Sequence, residues 1–92
     1  MGKSLAFSPV EGEYLSEEIV TDNGSVTINV QMRDDDARHV IVAEHSINGK
    51  YWQFCGSRDF FDGIELTIEG LRENVQKVRF RIDAEPSNAE WA

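Results

Sequence analysis

Alternation of apolar and polar residues with a period of two restricts this chain more than any other feature. In Ser25-Val-Thr-Ile-Asn-Val-Gln-Met32 the apolar side chains Val26, Ile28, Val30 and Met32 occupy every second position. That places all four on one face of an extended strand and leaves the other face wet. Gly63 to Gly70 repeats the pattern with Ile64, Leu66 and Ile68, and Lys77 to Ala84 repeats it with Val78, Phe80, Ile82 and Ala84. A helix would scatter each set around its circumference. Three such strands in 92 residues point to antiparallel sheet with one solvated face.

Asn48-Gly49 lies between the segments Arg38 to Ser46 and Lys50 to Ser57, and Asn-Gly between apolar runs is a strong hairpin signal. A two-residue loop pairs His45 with Trp52, Ala43 with Phe54 and Ile41 with Gly56, gathering Ile41, Ala43, Trp52 and Phe54 on one core face. A loop of Ile47-Asn48-Gly49 instead pairs Val42 with Phe54 and Glu44 with Trp52. The first register separates apolar from polar side chains better and is preferred; it leaves Tyr51 on the other side with Gln53 and Cys55. Weaker strands run from Ser4 to Phe7, ended by Pro9, and from Tyr14 to Thr21, closed by Asp22-Asn23-Gly24. Gly70 to Gln76 is too short for more than one helical turn. The expectation is an all-β fold, a single antiparallel β-sandwich of six to seven strands, immunoglobulin/fibronectin III-like, over residues 1–85. Pro86 is expected to end the last strand and leave 86–92 as a tail.

Charge and motif chemistry narrow the function. Seventeen acidic against nine basic side chains give a net charge of -8, which repels phosphate. Lys77, Arg79 and Arg81 on one strand are too few for a nucleic-acid groove. No apolar run is long enough to cross a bilayer as a helix. The start, MGKSLAFSPVEGEY, lacks the apolar stretch of a secretory signal, and Ala6 stands where a myristoylation signal needs Ser or Thr. The expected product is soluble and made in the cytoplasm. Cys55, the single cysteine, reads as a buried structural thiol, and Asn23-Gly24-Ser25 as a turn.

Asp34, Asp35 and Asp36 could supply only part of a calcium shell and read as a solvated turn. His39 and His45 share a strand face without a third ligand. Glu11, Glu13, Glu17 and Glu18 read as an acidic edge that discourages sheet-to-sheet aggregation. The sequence contains no phosphate-cradling loop, nucleophile elbow or acid–base pair. The expectation is therefore a non-enzymatic protein with no cofactor and no metal.

Two families are similar to this chain in particular segments. Ile68-Glu-Gly-Leu71 followed by Val78-Arg-Phe-Arg-Ile-Asp-Ala84 resembles the E to F region of fibronectin type III domains, and Ser46 to Trp52 looks like their C to C′ hairpin. Val78 stands where that family usually carries a Tyr. The layout of Val40 to Glu44, Ser46 to Trp52, Ile64 to Leu71 and Val78 to Ile82, about half the chain, resembles small β-sandwich virion proteins of tailed bacteriophages. That resemblance implies a structural protein of a head, collar, tail or fibre, present in several copies beside other virion proteins, with no nucleic-acid or membrane partner.

Candidate contact residues follow from loop-end aromatics. In Arg58-Asp-Phe-Phe-Asp-Gly63 one ring is expected to plug the core and the other to be exposed, so Phe60 and Phe61 are both candidates. Trp91 in the tail and Tyr51 beside the hairpin turn complete the set. A fibronectin-like or carbohydrate-binding module, with Tyr51 and Trp52 as a stacking platform beside Gln53 and Glu44, is the alternative.

Overall fold

The computed structural model describes residues 2–21, 24–33, 36–61, 63–71 and 76–92. Among them are ten strands: β1 (Lys3–Ser4), β2 (Phe7–Val10), β3 (Glu13–Ser16), β4 (Ile19–Thr21), β5 (Val26–Met32), β6 (His39–Ser46), β7 (Gln53–Phe60), β8 (Gly63–Ile68), β9 (Gln76–Ile82) and β10 (Pro86–Trp91). They form a four-stranded sheet in the order β1-β10-β5-β8 and a six-stranded sheet in the order β2-β3-β9-β6-β7, with β4 also on β9. All the pairings are antiparallel. The β-sandwich expected from the alternation is the fold that forms.

Its core is built from the alternating sets. Val26, Ile28, Val30 and Met32 of β5 are buried, as are Val78, Phe80 and Ile82 of β9, and Leu66 and Ile68 of β8. Ile41 and Ala43 of β6 and Ile19 of β4 join them between the sheets, with Leu5, Phe60 and Ala89. Each fully buried aliphatic or aromatic side chain contributes roughly 1.5–3 kcal/mol, so these few residues dominate the stability of so small a domain.

The strand count exceeds six to seven at the two ends of the chain. At the amino-terminal end, Lys3–Ser4 belongs to one sheet and Phe7–Val10 to the other, with the crossing held by Leu5 N donating to Ala89 O at 2.9 Å. The strand expected from Tyr14 to Thr21 is divided into β3 and β4, both on β9. At the break, the buried Ser16 hydroxyl accepts from Phe80 N at 2.8 Å, supplying the partner that an uninterrupted strand would have offered. Pro9 sits in β2, an edge strand, where a missing N–H is tolerated.

Residues 86–92, expected as a tail, are a correction. Pro86–Trp91 is a strand between β1 and β5, with Ala89 opposite Val30 and Trp91 opposite Ile28. Its short apolar content hid it, because Ala89 and Trp91 are its contributions to the core cluster. From β5 to β9 the arrangement follows the B, C, C′, E and F strands of an immunoglobulin-type sandwich. The ends do not: the last strand joins β5 instead of flanking β9, which makes the strand order that of a jelly roll.

Candidate interaction surface

The β6–β7 hairpin does not follow either register expected for it. Ala43 pairs with Gly56, Glu44 with Phe54 and His45 with Gln53, so the connection runs from Ile47 to Trp52. Asn48-Gly49 still turns the chain, with Gly49 at φ 76°, but as part of this longer loop. The Asn48 Oδ1 accepts from Lys50 N at 2.8 Å, Tyr51 N at 3.1 Å and Ser46 Oγ at 3.1 Å. Ser46 Oγ in turn accepts from Gly49 N at 2.9 Å. The side-chain amide closes the loop in place of a two-residue turn.

The register shift between Ala43 and Glu44 leaves one extra residue, Cys55, on β7. Such a bulge reverses the alternation beyond it. Gly56 and Phe60 turn inward, whereas Phe54 turns outward and is 66% exposed. This corrects the expectation that Phe54 is a core residue. Cys55 itself is half-buried; desolvation, and next the charge of Glu44, push its thiol pKa up.

Phe54 stands in a row across the outer face of the six-stranded sheet, beside Glu44 of β6 and then Arg79 of β9. Glu44 Oε1 accepts from Arg79 Nε at 3.0 Å and from Arg81 Nη2 at 3.1 Å. Arg81 Nε also reaches Glu13 Oε2 at 3.2 Å. Trp52, expected in the core with Phe54, is half-buried, and the Arg79 guanidinium lies 4.1 Å from its ring centroid. A cation on a ring face and a carboxylate at its edge hold that arginine in place. Val10, Val20 and Val40 are also exposed on this face.

The residues singled out from sequence are dispersed. Tyr51 is 78% exposed and Phe61 is 58% exposed, but they flank opposite ends of β7. Of the two adjacent rings, Phe60 is the one that plugs the core, at 7% exposed and 5.7 Å from the His39 ring, which removes it from the contact candidates. Trp91 is half-buried against the core, and Lys3 Nζ lies 4.7 Å from its ring centroid. Tyr51 lines a shallow cleft of about 150 Å³ with His45, Ser46, Ile47, Asn48 and Gln53. Asp34 and Asp35, and the Asn23 and Asp62 turn positions, lie outside the described residues, whereas Asp36 is exposed.

Phe54 and the Glu44 network were missed. Gly56, a glycine inside a strand pattern, was the available signal for the bulge. The Lys-x-Arg-x-Arg spacing of β9 already set three basic side chains on one face, but their acidic partners come from strands distant in sequence.

The fold and surface define a β-sandwich domain with jelly-roll strand order and one ion-paired, partly apolar broad face. No protein-family model matches the chain, and no curated protein matches it in sequence. Among solved structures, the crystal structure of Yersinia pseudotuberculosis-derived mitogen (YPM) aligns over 99% of this chain and 81% of its own, with a TM-score of 0.54 and 10% identity. At that identity the likeness is one of fold. The Drosophila melanogaster CENP-C cupin domain aligns over 95% of this chain and 71% of its own at 13% identity, but its TM-score of 0.25 carries no argument.

Proposed function

We propose that this chain is a non-enzymatic structural protein of a phage particle, a capsid decoration, head–tail or tail/fibre component made in the host cytoplasm. It docks on other virion proteins through apolar side chains on the six-stranded side of the sandwich. The observation that carries the reading is the outward Phe54, next to Trp52 and Arg79, since aromatic and arginine side chains supply most of the binding energy at protein interfaces. Jelly-roll sandwiches serve in viral capsids, among other roles, and that analogy supports the context but not the site. Phe61 and Tyr51 remain contact residues in this reading; Phe60 is buried in the core and Trp91 packs half-buried against it.

The test is mass spectrometry of density-purified particles from an infected or induced culture of the organism that carries this sequence. The chain is expected in the particles in multiple copies. Its absence from particles that are otherwise complete would refute the assignment.

The cleft beside Tyr51 favours a second reading, a carbohydrate-binding module. An exposed ring next to His45 and Gln53 offers a stacking face with polar groups alongside. Trp52 is covered by Arg79, so the platform in this reading is Tyr51 alone. Glycan-array binding lost in Tyr51→Ala would support it, and a blank array would exclude it.

A further inference from the structure

The two broad faces of the sandwich differ in chemistry. The outer face of the four-stranded sheet carries Thr27, Asn29 and Gln31 from β5, Glu65 and Thr67 from β8, and Asn88 and Glu90 from β10. Among the described residues it exposes no large hydrophobic side chain. A solvated antiparallel face needs nothing else. The outer face of the six-stranded sheet exposes Val10 at 46%, Val20 at 53%, Val40 at 38% and Phe54 at 66%. Water alone gives no reason for these four to share a face.

Charge then indicates the occupant. At a net charge of -8 two copies of this chain repel one another on average. The six-stranded face is the exception, because Lys77, Arg79 and Arg81 are paired there with Glu18, Glu44 and Glu13. The charges on this face are therefore balanced locally, and a second copy meets less repulsion here than at the rest of the surface. A nucleic acid or an anionic membrane gains nothing from basic groups already neutralised by their own chain.

Shape agrees. In the order β2-β3-β9-β6-β7, β9 is the middle strand, so a two-fold axis along β9 lays β7 of one copy over the β2–β3 hairpin of the other. There Val10, Leu15 and Arg81, with Glu11 and Glu13, line a groove of about 250 Å³; Phe54 is level with Arg79, two residues along β9 from the Arg81–Leu15 row, so seating it in the groove inclines the axis from β9. The same patch on both copies is what a two-fold interface requires. Extents of 39 × 30 × 20 Å give broad faces large enough for the ~800 Å² per partner of a standard stable interface.

We propose that this chain forms a two-fold dimer, the outer face of its six-stranded sheet docking on the same face of a second copy, with Phe54 of each seated in the Val10–Leu15 groove of the other. This deepens the assembly reading by naming the surface and its partner.

Sedimentation velocity of the full chain, from low micromolar to sub-millimolar concentration, tests it. A dimer is expected at the upper end. Because the ion pairs are internal and the net charges repel, added salt is expected to strengthen association. Phe54→Ser and Val10→Lys alter exposed side chains on opposite sides of the interface, and each is expected to weaken association about tenfold or more with an unchanged melting temperature. Glu65→Ser, on the other broad face, is expected to leave it unchanged. A wild-type chain that stays monomeric throughout overturns the proposal, as does association that survives both Phe54→Ser and Val10→Lys or is lost in Glu65→Ser. A monomer found in particles refutes the dimer alone; a dimer absent from particles refutes the virion role alone.

Discussion

Cys55 shows how much one added residue controls. As the bulge of β7 it turns Phe54 outward, and its own thiol is left half-buried with a pKa raised by desolvation and by Glu44. A thiol whose folded pKa is raised holds its proton more tightly in the folded state than in the unfolded chain. Its contribution to stability is therefore present in full below the ordinary thiol range and is lost as pH rises through the raised value. The thiolate is the reactive form. Iodoacetamide is expected to alkylate the folded chain at neutral pH several-fold more slowly than the urea-unfolded chain, with the gap closing as pH rises. Equal rates at neutral pH would contradict that environment.

Among the elements, the two-residue hairpin is found where the sequence signal for it is weak. Asn48-Gly49 carries the expected dipeptide yet lies in the loop from Ile47 to Trp52, because Asn48 caps that loop with its side chain. Val10 instead pairs with Glu13 across a turn of Glu11 and Gly12, whose φ values of 50° and 84° are both positive, as a type I′ turn requires. Glutamate is a poor residue there, since its Cβ crowds the backbone in the left-handed region, whereas asparagine tolerates it. Glu11→Asn is expected to stabilise the domain by about 0.5–1 kcal/mol. At roughly 4–8 °C per kcal/mol, the gain is measurable by thermal melting. A melting point that falls would mean Glu11 makes a contact worth more than this strain.

For the whole molecule, the consequence of the jelly-roll order is that both chain ends lie inside one sheet. β10 is the strand between β1 and β5, and it contributes the buried Ala89. Truncation after Glu85 would remove a tail under the sequence expectation; in this topology it strips the edge of β5 and detaches β1. With total stability of about 5–15 kcal/mol for a domain of this kind, losing a central strand is expected to abolish cooperative melting. Circular dichroism of the truncated chain checks this, and a transition like that of the full chain would mean the end strand is dispensable.

Strand identity was legible in the sequence where one face is buried and the other wet, because burial then writes itself as a period of two. Val26 to Met32, Ile64 to Ile68 and Val78 to Ile82 were found that way. The same rule assigned Phe54 to the core and failed, since a bulge changes parity without changing composition. Pro86 to Trp91 went unseen because a strand whose core contribution is Ala89 and Trp91 has almost no apolar signature. The sequence by itself determined the strands whose two faces differ in polarity, and that the sheets they form must stack. Tertiary structure decided the register of β6 with β7, the place of the last strand, and the meeting of Glu44, Arg79, Arg81 and Glu13. Those depend on pairing between strands distant along the chain, and local patterning carries no record of a distant partner.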